Sequence, residues 1–236
     1  MSSIDTILQR PDMEISRTPQ ELCDWVDSKA SELSETTEGK HYARSRALLP
    51  KKLLEEVRPL GLFARCLYGQ RTDVKCTPNL TNDNYDGSID FNDASVRSID
   101  VEVTYAKDGY DEHLRLEVLT AEGSVNALGR ISKSGTKASG RRTVEVENEA
   151  VNHKEMRCKE LEIVKARILG KSRKEYGPNH VLVVVVDDYL AFRTGDDRAV
   201  LVEFVKSIIE SVKLDFRAVF LLGATGKYLA CVYGEI

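Results

Sequence analysis

Two short segments in the middle of the chain decide the predicted fold: YDGSIDF at residues 85–91 and SIDVEVTY at residues 98–105. In both segments polar and apolar residues alternate with a period of two, which is the pattern of a half-buried β-strand. The acidic side chains therefore lie on one face of the predicted strands and the aliphatic and aromatic side chains on the other. Residues 92–97 separate the segments, so we predict an antiparallel hairpin that is apolar behind and acidic in front.

The segments on either side of this hairpin predict the rest of the fold. Further strands are expected at residues 73–80, 180–186, 216–222 and 228–233, and helices at residues 19–33, 47–67, 111–121, 145–174 and 197–214. The second helix is expected to break near Pro59 and Gly61. This order predicts an α/β fold with a mixed central sheet flanked by helices. We expect residues 1–46 to form an N-terminal helical appendage and residues 47–236 to form the α/β domain.

Composition restricts the classes of protein that fit. The chain has 236 residues, of which 42% are hydrophobic, which is enough for a sizeable core. Its five cysteines include no CxxC pair, it has no apolar run of membrane-spanning length, and no secretory signal is recognisable at the N-terminus, so we expect a cytoplasmic protein. The formal net charge is −4, so any nucleic-acid binding must depend on a local basic patch.

The acidic face of the hairpin is a candidate metal site. A register that places Asp86 opposite Glu102 also places Ser88 opposite Asp100, since both pairs of numbers sum to 188. Like charges at directly opposed positions repel and destabilise a hairpin. A divalent cation, Mg²⁺ or Mn²⁺, would offset that repulsion. The alternative is a solvent-exposed acidic face with no ligand, which antiparallel sheets often have.

The same residues resemble the PD-(D/E)xK nuclease superfamily. Asp86 matches the first acid of the motif and Glu102 the second, 102 − 86 = 16 residues later. The resemblance covers roughly residues 47–186 and implies a restriction endonuclease-like core in which Asp86 and Glu102 bind the metal and Asp100 assists. Tyr85 replaces the proline of the motif, and Thr104 replaces its lysine.

The missing lysine is the main departure from the family. In the family that lysine is thought to position or help deprotonate the attacking water, and the hydroxyl group of Thr104 has no charge with which to do so. We expect Thr104 to hold the water or the metal, and His153 or Lys154 from the next helix to supply the cation. The alternative for His153, which falls on the apolar side of its helix, is a packed core histidine.

A basic segment follows the predicted helix at residues 111–121. Residues 124–143 contain no acidic residue. Five cations of this segment are candidates for binding phosphates: Arg130, Lys133, Lys137, Arg141 and Arg142. Flexible cationic segments suit the phosphate backbone of nucleic acids. The alternative is a solvated hairpin loop.

Three hypotheses of function follow. The first is a metal-dependent nuclease that hydrolyses phosphodiester bonds, with DNA as the expected substrate. The second is a catalytically inactive protein of the same fold that binds nucleic acid or a protein partner, which the threonine at position 104 favours. The third is an interaction protein whose acidic hairpin simply faces solvent. We expect no membrane partner, and the sequence leaves the oligomeric state open.

Overall fold

A six-stranded mixed sheet forms the centre of the protein. The computed structural model describes residues 7–44, 48–81, 83–126, 130–135, 143–147 and 150–236. The sheet has the order β1-β2-β3-β6-β7-β8. Its strands are β1 (Val74–Pro78), β2 (Gly87–Phe91), β3 (Ile99–Tyr105), β6 (His180–Val186), β7 (Ala218–Gly223) and β8 (Leu229–Gly234). The first three form an antiparallel meander, β3, β6 and β7 run parallel, and β8 returns antiparallel. The predicted α/β fold with a mixed sheet is confirmed.

Helices cover both faces of this sheet. They are α1 (Arg10–Met13), α2 (Pro19–Glu35), α3 (Thr37–Arg44), α4 (Leu48–Lys52), α5 (Arg58–Tyr68), α6 (Gly109–Glu122), α7 (His153–Lys171) and α8 (Gly195–Glu210). A capping box begins α2, in which Thr18 and Glu21 bond to each other's backbone amides. Thr194 and Asp197 cap α8 in the same way.

We had expected the helix predicted at residues 47–67 to break near Pro59 and Gly61, but the chain stays helical through both residues. A π-helical turn, Leu53–Val57, joins α4 to α5 directly. Pro59 follows at the start of α5, where the wider turn accommodates a residue without an N–H. Gly61 lies against Leu22 and Cys23, so its missing side chain lets α2 and α5 pack closely.

Two hydrophobic clusters, one on each face of the sheet, form the core. Val181, Val183 and Val185 of β6 belong to the cluster beneath α2 and α5. The residues between them in β6 belong to the cluster beneath α7 and α8. Both faces of β6 are therefore buried, as its continuous apolar sequence predicted. Helix α2 contributes Leu22 and Val26 to the first cluster, and the proposed boundary at residue 46 remains a prediction.

A separate two-stranded ribbon departs from the prediction. Strand β4 (Arg130–Ser134) pairs with β5 (Thr143–Glu147), and α7 begins at His153, capped by Asn152, rather than at residue 145. Thr143, Val144 and Val146 are β-branched, and the exposure of β5 alternates along its length, so strand geometry wins there. No helix in the described part of the chain is long and apolar enough to cross a membrane.

Asp188 ties two loops together at one end of the sheet. Its side chain is 5% exposed and accepts hydrogen bonds from the backbone N–H (3.0 Å) and the hydroxyl (2.5 Å) of Thr225. A Cβ atom at Gly223 would overlap this carboxyl group. Position 223 must therefore stay glycine for the loop contact to form.

Substituting Gly223→Ala should lower the free energy of unfolding by at least about 2 kcal/mol, because the added methyl group displaces the Asp188 carboxyl from its bonds. The matched control is Gly170→Ala in α7, where an added Cβ meets nothing within 4 Å. That substitution should stabilise the protein by about 0.5–1 kcal/mol. Urea unfolding measures both, and equal effects at the two positions would contradict the packing described here.

Candidate active site

Asp86 lies at the entrance of β2 and is fixed by two bonds to β3. Its backbone N–H donates to the carbonyl oxygen of Val101 at 2.8 Å. Its side-chain Oδ2 accepts a hydrogen bond from the N–H of Val103 at 2.8 Å. The pairing of β2 with β3 places Ser88 opposite Asp100, as predicted. Continued by two residues, the same register sets Asp86 beside Glu102.

The carboxyl group of Asp86 is strongly perturbed by this position. Burial raises its pKa to about 7, and the nearby charges of Glu102 and, less strongly, Glu56 act in the same direction. The hydrogen bond from Val103 and the charge of Lys171 oppose that rise without cancelling it. Near neutral pH, Asp86 therefore carries a proton for part of the time, and a positive charge placed beside it would drive the proton off.

Glu102 is the second carboxylate of the site and the more deeply buried. Its side chain points to the same face as that of Asp86 and the residue is 6% exposed. Its Oε1 forms an ion pair with the ammonium group of Lys171, the last residue of α7. The hydroxyl of Tyr176 donates to the same oxygen at 3.4 Å. Burial, followed by the charge of Glu102, raises the pKa of Tyr176, so its hydroxyl stays protonated.

One oxygen of each carboxylate is left for a further ligand. No described residue bonds to Oδ1 of Asp86 or to Oε2 of Glu102. The described residues contain no group of three or more His, Cys, Asp or Glu side chains arranged to hold a metal ion. Two carboxylates with free oxygens still suit Mg²⁺, which commonly binds one or two carboxylates and completes its shell with water and phosphate oxygens.

Asp100 lies on the same face as Glu102 but has a different neighbour. Its Oδ2 is 3.9 Å from Nε2 of His180, the first residue of β6. Burial raises the pKa of Asp100, and the charge of His180 opposes the rise. The His180 ring contacts the rings of both Tyr85 and Tyr176, with centroids 6.2 and 5.7 Å away. Asp100 thus belongs to the periphery of the site.

Thr104 lies one step further along β3 on the face of Glu102. It is half-buried and lines a polar cavity of about 230 Å³ together with Glu56, Lys107 and Arg167. Lys107 pairs with Glu55 at 3.3 Å on the wall of this cavity. Cations therefore lie around Thr104 although the strand itself has none there.

His153 does not reach the two carboxylates. It begins α7, with its Nε2 3.7 Å from Oδ2 of Asp197. Lys171 lies 171 − 153 = 18 residues later on the same helix, which is about 27 Å at 1.5 Å per residue. The structure thus supplies the cation from the last turn of α7, whereas we had expected it from the first turn, at His153 or Lys154.

Two of the five predicted phosphate-binding residues lie in the β4–β5 ribbon, and both have other neighbours there. Arg130 is paired in register with Glu147. The ammonium group of Lys133 donates to the hydroxyl of Tyr110 at 3.0 Å. The remaining three, Lys137, Arg141 and Arg142, lie outside the described residues.

Sequence reasoning missed Lys171 and Tyr176. Lys171 was visible as one of many cations in the predicted helix, but nothing in the helical period selects it. A useful signal would have been its position in the last turn before the buried strand β6, which is paired with β3 in parallel.

Comparison of the chain with family models, with curated proteins and with solved structures gave no match.

The raised pKa of Asp86 predicts a pH-dependent loss of stability. The native carboxyl group binds its proton up to about pH 7, whereas the unfolded chain releases it near pH 4, so the free energy of unfolding falls as pH rises between these values. Asp86→Asn keeps an acceptor for Val103 and removes the titration. At pH 8 the variant should be more stable than the wild type by an amount of up to about 4 kcal/mol. Urea unfolding at pH 5 and pH 8 measures the difference. Parallel pH profiles for the two proteins would show that Asp86 titrates normally.

Proposed function

We propose that the protein is a metal-dependent nuclease that hydrolyses phosphodiester bonds, with DNA as the expected substrate. The observation that carries the proposal is the proximity of Asp86 and Glu102 on adjacent strands, with the ammonium group of Lys171 at Glu102. A nuclease of the PD-(D/E)xK kind needs two acids and one cation at one point. Here all three side chains are available, although the cation comes from α7 instead of β3.

The strand order supports the proposal. A helix, an antiparallel meander, two helices and a buried parallel strand follow one another as α5, β1-β2-β3, α6 and α7, and β6, with the β4–β5 ribbon between α6 and α7. Apart from the ribbon, this succession is compatible with the restriction endonuclease-like core that the resemblance to the PD-(D/E)xK superfamily implies. Asp86 directly precedes β2 and Glu102 lies on β3, which fits the positions of the two acids in the motif of that superfamily.

Oδ1 of Asp86 and Oε2 of Glu102 would hold Mg²⁺ or Mn²⁺. A bound metal ion of this kind activates a water molecule and stabilises the charge on the leaving oxygen of a phosphodiester. The two carboxylates repel each other in the absence of a cation, and the high pKa of Asp86 reflects that repulsion together with burial. The charge of a metal ion would offset both contributions.

Lys171 holds the carboxyl group of Glu102 in place through their ion pair. Its positive charge offsets the loss of hydration that a buried carboxylate suffers. The ammonium group has two further N–H bonds to donate beyond the one that faces Glu102. They would orient a water molecule or a phosphate oxygen beside the two acids. Tyr176 donates to the same carboxylate and restricts its rotation.

Helix α7 and the basic segment are the proposed DNA-binding surface. Helix α7 carries six Lys or Arg residues against three Glu residues, which supplies the local basic surface that an acidic protein needs for binding DNA. Arg130, Lys133, Lys137, Arg141 and Arg142 remain proposed phosphate contacts.

All five cysteines are free thiols, which supports the proposed cytoplasmic location.

A second function is favoured by one observation. Lys171 already neutralises Glu102, so the site is partly compensated without a metal ion. A protein of this fold that binds nucleic acid or a protein partner without cutting would need no more than this. The two functions differ in whether Asp86 and Glu102 are required for chain cleavage.

Wild-type protein with 5 mM Mg²⁺ or Mn²⁺ should nick supercoiled plasmid DNA. Asp86→Asn and Glu102→Gln should each reduce the rate by at least about a hundredfold, because each removes a charged ligand, and Lys171→Met should reduce it by a similar factor. Gel electrophoresis of the plasmid forms measures the rates. The matched control is Lys206→Met on α8, whose partner is the exposed Glu203 and which should leave the rate unchanged. Cleavage that survives Asp86→Asn and Glu102→Gln would reject the proposed site, and binding of DNA without cleavage would select the second function.

Metal binding should also be visible without a substrate. Millimolar Mg²⁺ should raise the melting temperature of the wild type by about 2–5 °C, because a ligand that binds only the folded state stabilises it. Glu102→Gln should remove this shift, whereas the same change at the exposed Glu162 should leave it intact. Differential scanning fluorimetry measures all three proteins. An equal shift in the Glu102 variant would place the metal elsewhere.

A further inference from the structure

A second and larger cavity opens at the carboxyl ends of β3 and β6. Its volume is about 650 Å³, which is within the range of small-molecule sites in proteins. Residues 105–108, at the end of β3, and residues 185–187, at the end of β6, line its floor. In open α/β sheets, ligands bind at this end of parallel strands. The cavity is distinct from the Asp86 and Glu102 site, since neither residue lines it.

The walls of this cavity are mostly apolar and come from two helices that face each other. Helix α6 supplies Leu116 and Leu119, and α7 supplies Met156 and Ile163. The side chain of Ile131 from β4 adds to the apolar lining. Opposed apolar surfaces of this kind suit a flat ring, which buries both of its faces at once.

Glu160 is a half-buried acid of this lining that forms no bond with the described part of the chain. Its carboxyl lines the cavity and has no hydrogen bond or ion pair with any described residue. Burial raises its pKa to about 7, helped by the charges of Asp187 and Asp108 and opposed by Lys159. Asp187, its nearest acidic neighbour, accepts bonds from the N–H groups of Tyr189 (2.9 Å) and Leu190 (2.8 Å).

Three of the four basic residues that line the cavity have other partners. Lys159 pairs with Asp111 at 3.6 Å, Lys107 pairs with Glu55 at 3.3 Å, and Arg115 donates to the carbonyl oxygen of Asn126 at 3.1 Å. The fourth, Arg130, lies opposite Glu147 in the register of the ribbon. Asp108, which also lines the cavity, accepts hydrogen bonds from the N–H groups of Tyr110 and Asp111, and Glu112 has a partner too. A ligand in the cavity would therefore meet apolar walls, the carboxyl group of Glu160 and, at the ribbon, Arg130.

The chemistry of that group selects a ligand class. A protonated carboxyl presents an O–H donor and a C=O acceptor side by side. An aminopyrimidine edge, as in adenine or cytosine, presents a ring nitrogen acceptor beside an amino donor, so the two edges form a pair of parallel hydrogen bonds. We infer that this cavity binds the base of an adenine or cytosine nucleotide, with Glu160 on its aminopyrimidine edge and the apolar side chains of α6 and α7 on its faces.

This inference goes beyond the proposed nuclease function and does not depend on it. The base could belong to a free nucleotide or to an unpaired position of a strand. Ala106, on the floor of the cavity, directly follows β3 and lies four residues after Glu102, or about 13 Å along the chain direction of the strand. A strand bound at the two carboxylates could reach the cavity within a few nucleotides.

Adenosine is the probe for the first test. Isothermal titration calorimetry at pH 6.5 should show wild-type protein binding adenosine at least about tenfold more tightly than purine riboside, which lacks the amino group. Glu160→Leu should weaken adenosine binding by at least about tenfold, and Glu162→Leu, on the same helix but 68% exposed, should leave it unchanged. Equal affinity for the two nucleosides, or no effect of Glu160→Leu, would overturn the inference.

The pH dependence separates this pairing from simple charge attraction. Adenosine binding to the wild type should weaken as pH rises from 6 to 8, because Glu160 loses the proton it donates. Glu160→Gln replaces the O–H donor by N–H and keeps the acceptor, so it should bind adenosine with no such pH dependence. Affinity that rises with pH would show an ionised Glu160 attracting a cation and would overturn the inference.

The source of the base is distinguished by a second arm. Fluorescence anisotropy would compare two single-stranded oligonucleotides. Each carries a single base at its centre, with abasic sites on both sides. That base is adenine in one oligonucleotide and unsubstituted purine, which lacks the amino group, in the other. A preference for adenine that Glu160→Leu abolishes would assign the cavity to a base within a strand. Adenosine binding without that preference would assign it to a free nucleotide. Failure of both adenosine and the oligonucleotides to bind would overturn the inference while leaving the nicking assay unaffected.

Discussion

The ion pair between Glu102 and Lys171 is the interaction on which the candidate site depends. The apolar backs of β2 and β3 must face the core, and this requirement fixes their register and brings Asp86 beside Glu102. Two buried carboxylates are costly unless a cation accompanies them. The last turn of α7 supplies that cation, because the polypeptide must return there to enter β6 next to β3. The order of the strands thus determines where α7 ends, and the end of α7 determines which cation reaches Glu102.

Such a pair is a weak source of stability. Replacing a buried ion pair by apolar side chains is often neutral or stabilising, so stability alone does not explain why the sheet carries acids at this point. Asp86 supports a functional role for these acids, because its pKa is raised to about 7 even with the charge of Lys171 nearby. Residues that are held in unfavourable protonation states cluster at functional sites. Glu160, which lines the cavity at the carboxyl ends of β3 and β6, is a second residue with a strongly raised pKa. Helix α7 contributes residues both to this cavity and to the site of Asp86 and Glu102.

The sequence predicted the parts of the site that depend on strand periodicity. Alternation in YDGSIDF and SIDVEVTY placed the acids on one face and gave the register of Ser88 with Asp100. It failed for the residues that depend on where a helix ends. His153 and Lys171 are both basic residues of one long helix, and they lie about 27 Å apart. The ribbon Arg130–Ser134 with Thr143–Glu147 was missed because a charged, glycine-rich segment carries little apolar periodicity.

The sequence by itself determined the mixed α/β sheet, the buried strand β6 and the acidic face of the hairpin, because each follows from local spacing of apolar and polar residues. Only the tertiary structure decided which cation pairs with Glu102 and which carboxyl group lines the larger cavity without a partner among the described residues. Those choices depend on the crossover from β3 through α6 and α7 to β6, which brings together residues 69 positions apart along the chain. Periodicity reports which way a side chain faces, and only packing between elements sets what it meets.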